Sequence, residues 1–142
     1  MTDKQIQIVK QTWKIFRSID PMLVGDVFYS RLFMMMPGLR PMFKPSMEDQ
    51  YIKLVDMLNL VVARLDRLEE VTADIAELAQ RHVQYGVRPG HYRVVGDALI
   101  WTLQKGLGKD WNEEVSDAWL SCYTILSDTM INASTDTATT VS

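Results

Sequence analysis

Apolar positions along this chain recur with a period near 3.6, and no stretch alternates apolar with polar residues over the length of a strand. The pattern predicts an all-α protein. Thr2 and Gln5 form a capping-box pair, in which each side chain satisfies a backbone N–H near the other. A first helix is expected over residues 3–18, with Ile6, Val9, Trp13 and Phe16 on one stripe. Asp20-Pro21 reads as a second helix start. The carboxylate can accept from a free N–H, and the proline follows where its missing N–H does no harm. Leu23, Val27, Phe28 and Leu32 are its expected inward residues, and it should end before Pro37. Pro37 to Phe43 has room for a short helical turn at most.

Pro45-Ser46 begins a long helix expected over 46–66, with Leu54, Met57, Leu58 and Val61 inward. Thr72 is expected to cap a helix that carries Ile75, Leu78 and Val83 and runs through His82. A further helix, expected over 91–106, carries Val94, Val95, Leu99 and Leu103 and stops at Gly106-Leu107-Gly108. Asp110 and Glu113 make a second capping-box pattern for the last helix. Its stripe is Val115, Trp119, Tyr123, Leu126 and Met130. Residues 133–142 are small and polar with little to bury, and a disordered tail is expected there. Residues 1–132 are then one domain, since no linker or internal repeat divides them.

Composition narrows the function. At 142 residues and 47% hydrophobic, the chain can bury one core. A net charge of −3 without a basic cluster argues against a nucleic-acid partner. No run of 18 apolar residues is present, so no membrane span is expected. The opening residues lack an apolar leader, and the single cysteine, Cys122, allows no internal disulfide. A cytoplasmic location follows as the expectation. Two histidines, without a His-x-x-x-His or Cys-x-x-Cys pair, give no protein-built zinc site. Gly106-x-Gly108 has no strand before it and reads as a helix stop, not a phosphate loop. Met34-Met35-Met36 suits irregular core filling or a soft surface.

His82 is the residue with most chemistry to offer. A neutral imidazole can ligate a transition metal, and a helix ending beside it is one way a helical protein holds a haem iron. A lone histidine on a half-apolar helix face is also an ordinary boundary residue. Gln50 can be a polar side chain facing something polar, or simply part of a solvated helix start. Tyr29 can be a ligand contact or a core tyrosine bonded to a carbonyl. The residues alone leave these alternatives open.

The run Arg81 to Gly96, RHVQYGVRPGHYRVVG, resembles the proximal region of bacterial single-domain globins, similar to the haem domain of flavohaemoglobins. Ala118-Trp119-Leu120-Ser121-Cys122-Tyr123, Trp13, Phe28-Tyr29 and Met42-Phe43 fit the same pattern in order and at unbroken spacing. The resemblance implies a globin fold, a three-over-three helical sandwich around haem b, with His82 as the iron ligand. It implies that Phe43, Leu54, Met57, Val61, Leu78, Tyr92 and Val95 contact the haem, and that Tyr29 and Gln50 face the gas ligand. It implies no catalytic side chain. The implied function is reversible binding or transport of O₂, or binding of another diatomic gas such as NO or CO, at ferrous iron, by a monomer or weak dimer. The alternative is nitric oxide dioxygenation with a separate reductase, because these 142 residues show no flavin or nicotinamide motif. One position departs from the pattern. Flavohaemoglobin-like chains pair a tyrosine like Tyr92 with a glutamate in the last helix around the proximal imidazole, and the matching residue here is Ser134. The resemblance therefore does not carry over a strongly donating proximal side.

Overall fold

Local chemistry starts the first two helices where the sequence places them. In a computed structural model, the backbone of residues 1–84 and 86–141 and the side chains of 1–83 and 86–133 are described. Helix α1 (Asp3–Phe16) opens on the expected box: Thr2 Oγ1 accepts from Gln5 N, and Gln5 Oε1 accepts from Thr2 N. Helix α2 (Pro21–Met35) is capped by Asp20, whose Oδ1 accepts from Met22 N at 3.0 Å. A 3₁₀ turn (Pro37–Met42) leads through an extended Phe43 to α3 (Glu48–Ala63). A second 3₁₀ turn (Leu68–Val71) leads into α4 (Thr72–Gln84). Helix α5 (Pro89–Leu107) ends at Gly108, whose φ of +53° lies in the left-handed region that favours glycine. A short turn (Gly108–Asp110) precedes α6 (Glu113–Val141). No strand occurs among the described residues.

Several starts differ from the sequence reading. Helix α3 begins at Glu48, two residues later than expected, without a side-chain cap. Thr72 does not cap α4; its hydroxyl donates back to Leu68 O at 3.2 Å and joins α4 to the turn before it. Helix α5 starts at Pro89, two residues early, because Arg88 N donates to His91 Nδ1 at 3.0 Å and supplies the cap there. Asn112, not Asp110, caps α6: its Oδ1 accepts from Val115 N at 2.9 Å, while Asp110 is spent in the preceding turn. Of the tail expected over 133–142, only Ala133 has a described side chain, and it packs against the core.

Helix α1 packs on α3, α5 and α6; α2 packs on α3 and α5; α4 and α5 pack on α6. The buried faces of all six meet in one core that includes Val9, Phe16, Phe28, Leu32, Leu103 and Trp119. The two buried indoles are matched. Trp119 Nε1 donates to Thr12 Oγ1 at 2.9 Å, and Trp13 Nε1 donates to Asn59 Oδ1 at 2.7 Å. Arg31 Nε, by contrast, is buried without a hydrogen bond among the described residues, and its guanidinium lies 4.7 Å over the Trp101 ring. Two expected inward residues are exposed instead, Leu23 and Val83. Helix α2 sits between α3 and α5, so its buried row is Val24, Gly25, Phe28, Tyr29 and Leu32, and Leu23 falls outside it. On α4 the inward row is Ile75, Leu78, Ala79 and His82, and Val83 is turned about 100° from His82.

Gly25 is where α2 and α3 cross. A Cβ there would overlap Cβ and Cγ of Tyr51 on α3. These atoms lie too near the backbone for rotation to relieve the clash. Gly25→Ala should therefore destabilise the protein by about 1–3 kcal/mol, although alanine is the better helix former by about 1 kcal/mol. Urea unfolding of both forms measures this. An unfolding midpoint at or above that of the parent would show that the crossing has spare room.

Candidate functional site

The α2–α3 crossing sets Tyr29, one turn beyond Gly25, against the start of α3. Tyr29 is buried, with 6% of its surface exposed. Gln50, the third residue of α3, reaches it: Gln50 Nε2 donates to Tyr29 Oη at 3.0 Å. The Tyr29 ring meets Phe43 edge-on at 5.4 Å and stacks on Tyr51 at 5.7 Å with a 23° tilt. Phe28 and Phe33 pack edge-on and tilted against the same ring. Phe43 stands on extended backbone that Arg40 secures, donating to Lys44 O and Pro45 O at 3.0 Å each. Stacked and edge-on rings of this kind fix one another's orientation.

The direction of the Tyr29–Gln50 bond matters. The phenol oxygen accepts, so its own proton has no acceptor among the described residues. Burial pushes the hydroxyl up to about 12, with the Gln50 bond acting the other way, so the proton stays on Tyr29 at any ordinary pH. A buried O–H without an acceptor is costly and invites a polar ligand atom.

His82 stands on the inward side of α4, half-buried. Its Nδ1 lies 2.7 Å from Leu78 O. A carbonyl can only accept, so Nδ1 carries the proton and Nε2 keeps a free lone pair. Nε2 has no partner among the described residues. Burial lowers the pKa of the ring, against the pull of the Leu78 carbonyl, and favours the neutral form that a metal requires. The carbonyl also fixes the ring's tautomer and orientation.

The other expected contacts fall on three helices. Leu54 and Val61 are buried on α3 and Met57 is half-buried there. Leu78 is half-buried on α4, and Tyr92 and Val95 are half-buried on α5 and pack against the core. Tyr92 O accepts from Tyr123 Oη. No hydrogen bond joins Tyr92 to His82 among the described residues, because the imidazole N–H is already taken by Leu78 O. Ser134 falls outside the residues whose side chains are described. Tyr29, Gln50 and Phe43 are thus brought into direct contact, and no hydrogen bond or ring contact links them to His82. Helices α3 and α4 are consecutive, yet beyond isolated contacts they do not pack on each other; α4 rests on α6. Tyr51, Phe33 and Arg40 were not singled out by sequence. A glycine amid the apolar residues of α2 was the available signal for Tyr51, since it marks a close helix approach.

The profile of the globin family matches residues 26–130, and the chain belongs to that family. It is 27% identical over 135 residues to the flavohemoprotein of Vibrio cholerae, covering 93% of this chain but 34% of that protein, so it spans about a third of that relative. It is 30% identical over 137 residues to an anaerobic nitrite reductase of Brassica napus, covering 86% of this chain and 84% of that one. Among solved structures, a bacterial globin from Campylobacter jejuni superposes with a TM-score of 0.86 at 24% identity, over 96% of this chain and 99% of that one. The fold is the globin fold, as the resemblance implies. Relatives in this family bind haem, and globins bind diatomic gases. The residues present fit such a group. They supply one neutral imidazole with an open, oriented nitrogen, an apolar α3 face, and a pair of helices that do not close on each other. No cluster of three or more His, Cys, Asp or Glu suited to a bare metal ion occurs among the described residues. No helix among them is long and apolar enough to cross a membrane.

Proposed function

We propose that this chain holds haem b through His82 Nε2 and binds dioxygen reversibly at the ferrous iron. The bound haem would supply an iron centre that takes up O₂, NO or CO, which no side chain here can do alone. The observation that carries the reading is the buried Tyr29 hydroxyl, whose oxygen is held by Gln50 and whose proton is left to donate. Phe43, Leu54, Met57, Val61, Leu78, Tyr92 and Val95 would supply the apolar wall that keeps water from the iron. Leu78 O holds the His82 ring in the tautomer that ligation needs. A bacterial cytoplasm, in which a lone thiol such as Cys122 stays reduced, suits a monomer or weak dimer of this kind. The test is a visible spectrum of the purified protein, followed by oxygen titration of its reduced form. A protein without a Soret band, or one oxidised by O₂ without forming a reversible complex, would overturn the proposal.

A second reading, nitric oxide dioxygenation, is favoured by the similarity to a flavohemoprotein. It needs electrons from elsewhere. No strand exists among the described residues, and so no nucleotide-binding sheet to receive NADH. Mixed with nitric oxide, dioxygen and NADH, the 142-residue chain should give a single round of nitrate and then stop in the ferric state. Stopped-flow spectra with a nitrate assay would show it. Steady nitrate formation without an added reductase would contradict the expectation.

A further inference from the structure

Residues 64–71 join the last turn of α3 to the first turn of α4, and Gln50 and His82 lie at the far ends of the two helices. A cavity of about 220 Å³ lies at that joined end, between the last turn of α3, the first turn of α4 and the middle of α6. Buried Val61, Leu65, Ile75, Cys122 and Leu126 form its floor, and Glu69, Thr72 and Thr129 stand at its rim. Val61 is the one residue it shares with the proposed haem wall. At 1.5 Å of rise per residue, its lining lies roughly 10 Å from His82 along α4 and roughly 16 Å from Gln50 along α3. A dry apolar cavity of about 150 Å³ is enough to hold benzene, so this one has room for a ring and a short tail.

The rim is chemically one-sided. Thr72 and Thr129 spend their hydroxyl protons on Leu68 O, at 3.2 Å, and Ile125 O, at 2.7 Å. Their oxygens keep lone pairs and can only accept. Both neighbouring cations pair with Glu70: Arg64 at 3.5 Å and Arg67 at 3.7 Å. Glu69 has no ion pair among the described residues. The floor adds no charge, since burial pushes the Cys122 thiol up to about 12. Acceptors and an unpaired carboxylate therefore ring an uncharged apolar space.

We infer that this cavity is a second binding site, for a small amphipathic ammonium ion whose aryl or alkyl body enters the apolar floor and whose cationic head rests on Glu69. An anion of the same shape is repelled at the rim. A neutral hydrocarbon gains the floor but makes no ion pair with Glu69. The inference stands apart from the haem reading, because it uses neither His82 nor Tyr29.

Calorimetric titration with phenethylammonium tests it, on the purified protein reduced and saturated with carbon monoxide so that any iron is blocked. Saturable one-to-one binding is expected, with ethylbenzene weaker and hydrocinnamate weaker still. Glu69→Gln, a change at an exposed side chain that leaves the fold intact, should weaken phenethylammonium about two- to fivefold, the range of an exposed ion pair, and leave ethylbenzene unchanged. Cys122→Leu fills the floor and should weaken both ligands by about tenfold or more, as expected when the space for a buried ring is lost. Absence of saturable binding, equal affinity for the anion, or indifference to Glu69→Gln would each overturn the proposal.

Discussion

Replacing Tyr29 with phenylalanine is expected to speed dioxygen release by about 10- to 150-fold, the equivalent of a charge-assisted hydrogen bond of roughly 1.5–3 kcal/mol. The change keeps the ring, its stacking on Tyr51 and its edge contact with Phe43. It removes only the O–H, whose oxygen is held by Gln50 and whose proton has no acceptor among the described residues. Dioxygen on a ferrous haem draws negative charge and strengthens with such a donor. Carbon monoxide is less polar in the same place, so its affinity should change far less. Faster autoxidation should accompany faster release. Gln50→Leu should act in the same direction but more weakly, because it frees the hydroxyl to wander without deleting it. The hydroxyl titrates only at about 12, so the difference between parent and Tyr29→Phe should be flat across the neutral range. Stopped-flow release and flash photolysis with both gases measure these effects. An O₂ release rate within about twofold of the parent, less than a weak net hydrogen bond provides, would make Tyr29 an ordinary core tyrosine.

The helices were legible in the sequence because their signals are local. Thr2 with Gln5, Asp20 before Pro21, and glycine after Leu107 each act within one turn of the chain, and the structure uses all three. Boundaries that depend on where the chain arrives from were not legible. Asp110 and Asn112 can both cap a helix; the turn at Gly108–Asp110 delivers Asn112 to the start of α6 and turns Asp110 aside. His91 could not be read as a cap, since the imidazole takes that role only after Pro89 has fixed the first turn. Periodicity found the apolar stripes but not their centres. Leu23 belongs to an apolar helix on any count, yet the centre of the α2 stripe is set by two neighbours, α3 and α5, that meet it from different sides.

The site was half legible for the same reason. Leu54, Met57 and Val61 share a helical face by spacing alone. The pairing of Tyr29 with Gln50 joins residues 21 positions apart and depends on the crossing at Gly25. Residue chemistry left both with ordinary explanations, and only the resemblance to globins drew them together. The cavity between α3, α4 and α6 had no sequence signal at all. A void is defined by the positions of three elements relative to one another, and no single stripe encodes it.

His82→Ala should leave a protein that folds as globin but cannot retain haem. The substitution removes the one neutral imidazole nitrogen that is oriented and without a partner. His91, the only other histidine, already accepts from Arg88 N through Nδ1, and moving it would cost α5 its cap. Haem should therefore be lost on gel filtration or pass to apomyoglobin far faster than from the parent. Thermal stability should fall with it, because a ligand that binds only the folded state stabilises by mass action, about 4.1 kcal/mol when present at 1,000 times its dissociation constant. A merely destabilising substitution would also lower stability, so a second measurement separates the two. His82→Gly opens a space of imidazole shape on α4, and added imidazole should restore both the Soret band and the five-coordinate ferrous spectrum in a saturable way. Imidazole cannot repair a general packing defect. If His82→Ala kept the parent's histidine-ligated ferrous spectrum, or if imidazole restored nothing to His82→Gly, His82 would be a boundary residue bonded to Leu78 O, and the haem would have to be held elsewhere.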